Sequence, residues 1–236
     1  MLKRLTAKML QRFGLQLVRL PHHVPGDTPF CKIKLRNAEI VDLEALASLA
    51  SSIPGMISHG SGQLLYALCY LQSVPGDVVE VGSWQGRSTS YLARAVQNSR
   101  NGRFFAVDHF KGNQGKEGQY AVNKGDLSDL EGNFRDNMKR LGLDGSVNLL
   151  NMPNVEAEQH LRGSTIRFLF IDGDHTRDGV QKDISLFFCK LVPGSIVVFD
   201  DFSPGFPGLV EAVDELLGRH RFTRLMTYRD TLVAIL

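Results

Sequence analysis

The segment Phe168–Asp201, FLFIDGDHTRDGVQKDISLFFCKLVPGSIVVFDD, restricts the possible folds more than any other part of the chain. Two largely apolar runs of strand length, Ile166–Ile171 and Ile196–Phe199, each end in acid: Asp172 with Asp174, then Asp200 with Asp201. Between them lies a helix-length stretch, Arg177–Leu191, closed by Val192-Pro193-Gly194. Continuous apolar strands separated by a helix indicate a parallel sheet covered on both faces. Ligands of such sheets bind outside the carboxyl ends of the strands. Four carboxylates and His175 are therefore expected along the one edge where chemistry takes place.

The same alternation runs upstream. Asp77–Val81, Arg103–Asp108 and Val147–Leu150 read as strands, and Arg87–Gln97, Leu127–Leu141, Val155–Arg162 and Leu209–Arg219 as helices. The polar stretch Lys111–Gly125 carries four glycines and suits a mobile lid or substrate loop. At the end, Phe222–Tyr228 and Thr231–Leu236 are separated only by Arg229-Asp230. A parallel crossover needs a dozen or more residues, so these two strands are antiparallel. The expected fold is α/β: a Rossmann-like, seven-stranded, mostly parallel sheet with a C-terminal antiparallel hairpin and helices on both faces.

An N-terminal helical appendage precedes it. Leu2, Leu5, Met9, Phe13, Leu17 and Leu20 recur three or four apart among basic residues, the pattern of an amphipathic helix over 1–20. Pro21–Arg36 reads as a linker, and Val41–Ser51 and Gly62–Gln72 as two more helices around a Pro54-Gly55 break. The expected division is an extension with linker over 1–52 and a catalytic domain over 53–236. The basic helix would pack on its own domain or on a second copy, making a homo-oligomer, or else lie on an anionic membrane surface.

Charge and cysteine content narrow the function. A net charge of +2 without a basic run leads us to expect no nucleic-acid partner. Three cysteines with no CxxC pair indicate neither a disulfide framework nor a zinc site. No membrane span is expected, because no stretch reaches the roughly 18 apolar residues one needs, and no signal peptide, because charges at Arg12 and Arg19 interrupt the N-terminal apolar pattern. The expected location is cytoplasmic, peripheral to the inner membrane surface if residues 1–20 contact lipid.

The turn after the first strand, Glu80-Val81-Gly82-Ser83-Trp84-Gln85-Gly86-Arg87-Ser88, opens a helix whose free N–H groups can hold a polar ligand. Asp108 ends the next strand, placed to take two ribose hydroxyls. Trp84 occupies the second-glycine position of a dinucleotide fingerprint, where backbone must approach a pyrophosphate. A nicotinamide dinucleotide is thereby disfavoured, and a nucleoside cofactor without pyrophosphate, S-adenosylmethionine, is expected instead.

VVEVGSWQGRSTSYLARAV, FFAVDHF and FLFIDGDHTRDGVQKDI…LVPGSIVVFDDF together resemble the class I S-adenosylmethionine-dependent methyltransferases. More narrowly, the chain is similar to the methyltransferase domain 24 type, which includes macrocin O-methyltransferase and cephalosporin-biosynthesis relatives. The resemblance covers residues 53–236. It implies that Glu80, Gly82, Ser83, Gly86 and Ser88 line the methionine and ribose side, that Asp108 binds the ribose, and that Asn151–Asn154 lie near the adenine. It also implies a divalent metal, Mg²⁺ or Mn²⁺, on Asp172, Asp200 and Asp201, and a base at His175 or Asp174. Arg177 stands where many relatives carry Tyr.

This chemistry suits those residues. The sulfonium methyl is already activated, but an acceptor hydroxyl must lose its proton. Hard carboxylates around a divalent ion lower the pKa of an oxygen bound to it, and His is the side chain best poised near neutral pH. Simpler roles stay open. His175 or Asp174 could cap the following helix, and the adjacent Asp200 and Asp201 can face one metal only if their strand has ended. The expected activity is O-methyl transfer to a small hydroxylated acceptor such as a sugar, glycan or natural product. The alternative is a silent cofactor-binding scaffold of the same fold.

Overall fold

The computed structural model describes residues 32–34, 40–112 and 129–236. The expected helix over 1–20, most of the linker and most of the 111–125 loop lie outside the described residues. The first described elements are two short antiparallel strands, β1 (Lys32–Lys34) and β2 (Ile40–Asp42), with Lys32 opposite Asp42. Two expectations are corrected here: a strand lies inside the stretch read as linker, and the helix expected from Val41 begins only at Leu43. At three residues each, these strands are too short to show a period.

Next come helices α1 (Leu43–Ser51) and α2 (His59–Leu71). The sheet domain then alternates: β3 (Asp77–Val81), α3 (Arg87–Ser99), β4 (Phe104–Val107), α4 (Leu130–Arg140), β5 (Val147–Leu150), α5 (Asn154–His160), β6 (Ile166–Ile171), α6 (Arg177–Phe187), β7 (Leu191–Phe199) and α7 (Pro207–Arg219). The chain ends in the hairpin β8 (Arg224–Tyr228) and β9 (Thr231–Ile235). One further correction concerns Leu191–Gly194. α6 stops at Phe187 and a 3₁₀ turn covers Phe188–Lys190, so the Val-Pro-Gly stretch already belongs to β7. Pro193 is tolerated because the β6–β7 register slips between Ile166 and Phe168, beside the start of the strand.

The seven strands lie in the order β5-β4-β3-β6-β7-β9-β8. All neighbours are parallel except β7–β9 and β8–β9, so the expected sheet with its reversed hairpin is present. Alternate residues serve opposite faces, as the strand period requires. Val78, Phe104, Phe168, Phe170 and Val198 pack under α1–α4, whereas Val79, Phe105, Leu169, Val197 and Phe199 pack under α5–α7. α1 buries Leu43, Leu46, Ala47 and Ala50 in the first of these layers, so it shares the domain core although it precedes residue 53. Arg167 is fully buried in β6, its guanidinium satisfied by the carbonyls of Cys69 and Asn101.

One contact locks the sheet centre. Gly82 sits at φ +87°, and a Cβ there would run into the backbone of Asp172 and Gly173. The glycine is required by the close approach of two strand ends. Gly82→Ala should therefore cost roughly 2–4 kcal/mol, left-handed strain and overpacking combined. Urea denaturation measures this, and a loss below about 0.5 kcal/mol would contradict the packing argument, since that is the reach of an ordinary surface change.

Candidate active site

The ladder of the parallel strands carries past the strands themselves. Asp108 N–H bonds Leu150 O, Gly82 N–H bonds Val107 O, Asp172 N–H bonds Val81 O, and Asp200 N–H bonds Ile171 O. Residues 108, 82, 172 and 200 consequently end their strands side by side on one edge. β9 extends the row, because Leu232 pairs with Phe199 and so brings Thr231 beside Asp200.

In the glycine-rich turn, Glu80 is fully buried. Its Oε2 accepts hydrogen bonds from the hydroxyls of Ser83 and Thr89. Burial pushes its pKa to about 7, although the hydroxyls of Ser88, Thr89 and Ser83 pull it back down. Its other oxygen, Oε1, is buried without a hydrogen-bond partner. An orphaned acceptor of this kind fits the amino group at the methionine end of S-adenosylmethionine. Gly86, at φ +93°, is the N-cap of α3 and contributes no side chain to the first-turn N–H groups. A Cβ on Gly86 would crowd Met138 and Phe134 of α4. Both turn glycines thus answer to internal close approaches, and Ser83 is turned toward Glu80.

Asp108 organises the neighbouring loops. Its Oδ2 accepts from Ser83 N–H and Trp84 N–H at 2.9 Å each, and its Oδ1 from Phe110 N–H at 2.7 Å. Trp84 and Phe110 both sit at positive φ, so the carboxylate pins two strained residues at once. Capacity remains on the carboxylate for a further donor such as a ribose hydroxyl. Of the segment expected near adenine, Asn154 donates to the buried Asp183 and Asn151 to Glu131.

On the other side, His175 lies between two carboxylates. Its Nε2 is 3.4 Å from Asp172 Oδ1 and its Nδ1 is 3.4 Å from Asp201 Oδ2. Phe206 meets the ring edge-on at 4.8 Å between centroids. Burial works to lower the His175 pKa, but Asp172, Asp201 and Asp200 outweigh it and hold the pKa above the ordinary value. The acids shift the same way. Burial and the charges of Asp108 and Asp230 raise Asp172 against the pull of His175, and burial and the charge of Asp172 raise Asp200. Asp201 is pushed to about 6, chiefly by burial.

The structure gathers the expected metal and base residues differently from their order in the chain. Donor atoms of Asp172, His175 and Asp201 lie within 4.8 Å of one another, a mixed carboxylate and imidazole set able to take a divalent cation. Asp201 reaches it because the strand has ended: its φ is +55°, and the chain turns there. Asp200 instead accepts from Thr231 Oγ1 at 2.9 Å. Asp174 is exposed, and its Oδ1 accepts from Thr176 N–H at 2.9 Å, at the start of α6. Thr176 itself caps that helix.

A cavity of about 350 Å³ opens beside this group, lined by Met56, Ile57, Ser58, Ser61, Asp200, Asp201, Arg229 and Asp230. Asp230 was not among the expected site residues. The two-residue turn Arg229-Asp230 was legible as a turn, but only the pairing of β9 with β7 carries it to the strand ends.

A methyltransferase-domain family model matches residues 79–202, more than half of the chain. The chain belongs to that family. It is a class I S-adenosylmethionine-dependent methyltransferase of the methyltransferase domain 24 type. Solved structures share its fold. The O-methyltransferase NovP is 21% identical with a TM-score of 0.65, over 82% of this chain and 97% of NovP. The O-methyltransferase TomG from Streptomyces achromogenes, in complex with S-adenosylmethionine, is 18% identical at TM-score 0.58, over 82% and 88%. CalS11, a TDP-rhamnose 3'-O-methyltransferase of calicheamicin biosynthesis, is 19% identical at TM-score 0.55, over 82% and 92%. No described helix of this methyltransferase is long and apolar enough to cross a membrane.

The buried Glu80 gives a pH signature. Its folded pKa of about 7 lies above the ordinary 4.5, so the folded state holds the proton more tightly. Its contribution is complete below 4.5 and is lost as pH rises through about 7. Relative to the native chain, Glu80→Gln should gain melting temperature steadily across that window in the ligand-free protein. A pH-independent difference in calorimetry would contradict the assignment.

Proposed function

We propose that this methyltransferase moves the sulfonium methyl of S-adenosylmethionine to a hydroxyl of a small acceptor, a sugar, glycan or natural product, with divalent-metal assistance. The observation that supports it best is the Asp172–His175–Asp201 group beside a cavity walled by Ser58, Ser61, Asp200 and Asp230. Such a wall offers many polar partners to a hydroxyl-rich ligand and little apolar surface. The activities named for NovP, TomG and CalS11 support the O-methyl reading.

In the reaction the acceptor oxygen gives up its proton, to solvent or, in the second reading below, to His175, and bonds the methyl carbon as the carbon–sulfur bond breaks, leaving the neutral thioether S-adenosylhomocysteine. Glu80 and the start of α3 hold the methionine end, and Asp108 holds the ribose. Asp172, Asp201 and His175 would hold Mg²⁺ or Mn²⁺, which supplies Lewis acidity that lowers the pKa of an oxygen bound to it. A second reading has its own support: each ring nitrogen of His175 faces a carboxylate, so a proton taken from the acceptor is stabilised wherever it resides. In that reading His175 is the general base and the two acids orient it. Asp174 is engaged with the helix start, which argues against it as the base. The proposal extends to a cytoplasmic homo-oligomer, or contact with a membrane surface through residues 1–20, supported by their basic amphipathic pattern.

Binding tests the cofactor half. S-adenosylhomocysteine should bind and raise the melting temperature while NAD does not. Asp108→Ala should weaken S-adenosylhomocysteine binding by at least about tenfold, the worth of one hydrogen bond to a charged group. Calorimetry showing NAD binding alone would overturn the reading.

Acceptors can be found by mass spectrometry, as metabolites of expressing cells that gain one methylene. With such an acceptor, EDTA should abolish transfer and Mg²⁺ restore it, and Asp201→Ala should lose turnover yet still bind S-adenosylhomocysteine. His175→Ala should lower turnover by roughly 10²–10⁴-fold. Full activity of demonstrably metal-free protein would eliminate the cation and leave His175 as the base.

A further inference from the structure

Arg87 is the first residue of α3, directly after the cofactor turn, yet its side chain leaves the cofactor. Its Nε donates to Ile53 O at 2.8 Å and its Nη1 to Ile57 O at 3.3 Å. Both ends of the 53–57 loop therefore hang on one guanidinium. Gly55 lies against the aliphatic stem: a Cβ there would come within 2.7 Å of Arg87 Cβ and 3.1 Å of Nε. Ile53 and Ile57 are buried on either side, and Met56 is left exposed at the cavity mouth.

The next turn of α3 continues the contact. Tyr91 is four residues on and lies on the same helix face. A Cβ on Gly62 would collide with the Tyr91 ring, and His59 Nδ1 is 3.4 Å from Tyr91 Oη. Between these anchors, Ser58 caps α2, accepting from Ser61 N–H at 3.0 Å, and the Ser58 and Ser61 hydroxyls are 2.9 Å apart. Residues 56–58 and 61 form one wall of the cavity. That wall is thus mounted on the first two turns of the helix whose start holds the cofactor.

We propose that Arg87 is a positioning residue that couples the two halves of the site: cofactor bound at the turn fixes the start of α3, and Arg87 passes that order to the acceptor wall at 53–61. A wall steadied further by the bound cofactor favours acceptor binding after the cofactor. The inference rests on the reading of the cavity as the acceptor site.

Hydrogen exchange followed by mass spectrometry, with S-adenosylhomocysteine as the probe, tests it. In the native chain, peptides spanning 53–61 should gain protection when S-adenosylhomocysteine binds. Arg87→Met keeps the stem and removes the donors. It should bind S-adenosylhomocysteine within about threefold of the native chain, one hydrogen bond not being lost to the ligand, and show no gain over 53–61. Gly55→Ala leaves Arg87 in place but pushes the loop off it, and should also lose the gain. This second variant separates coupling from misfolding. Binding without protection of 53–61 in the native chain, or protection that persists in both variants, would overturn the coupling alone. Absence of S-adenosylhomocysteine binding to the native chain would overturn it together with the cofactor reading.

Discussion

The backbone ladder across the carboxyl ends of the parallel strands is the interaction on which the site depends. Bonds from Asp108, Gly82, Asp172 and Asp200 to the preceding strand's last carbonyls set four residues of distant sequence in one row. A one-residue slip of any strand would turn its whole side-chain set to the opposite face. β3, β4, β6 and the end of β7 are buried on both faces, so such a slip there would disrupt two cores at once. Register is therefore paid for by hydrophobic burial, and the acids are located by register. Gly82 marks the tightest point, where one strand end passes too close to the next to admit a side chain.

Concentrating acids at this edge has an electrostatic consequence. Asp172, Asp200, Asp201 and Asp230 repel one another in a partly buried setting, and the first three carboxyls are held above their ordinary pKa. His175 relieves part of this by standing between Asp172 and Asp201. A divalent cation on the same donors would relieve more, since opposite charge favours the ionised acids. The edge is thus suited to receiving positive charge. Glu80, in the neighbouring turn, is raised chiefly by burial, with the charge of Asp172 adding to it.

α3 links these halves mechanically. Its start is capped by a glycine, its first side chain grips the 53–57 loop, and Tyr91 receives the beginning of α2. One helix thereby touches both the glycine-rich turn and the cavity wall. The opposite wall comes from the terminal hairpin, where Thr231 holds Asp200 and the Arg229-Asp230 turn closes the cavity.

The sheet, its reversed hairpin and the edge where the acids gather were determined by sequence, because apolar runs of strand length and a two-residue connection admit few alternatives. Asp172, His175, Asp200 and Asp201 could be named for the same reason: they end those runs. Which of them meet was decided by tertiary structure. Asp200 and Asp201 are neighbours in the chain, yet one turns to Thr231 and the other, past the strand end at positive φ, turns to His175. Asp174 looks equivalent to Asp172 in sequence but is drawn to Thr176 N–H at the helix start. Gly82 and Gly86 were legible as turn residues, but their reason lies in Asp172 and α4, which are far away in sequence. Nothing local marks Asp230 or Arg87 as part of a site. Periodicity reports what a residue's own element buries, whereas these positions depend on contacts between elements that only the closed fold brings together.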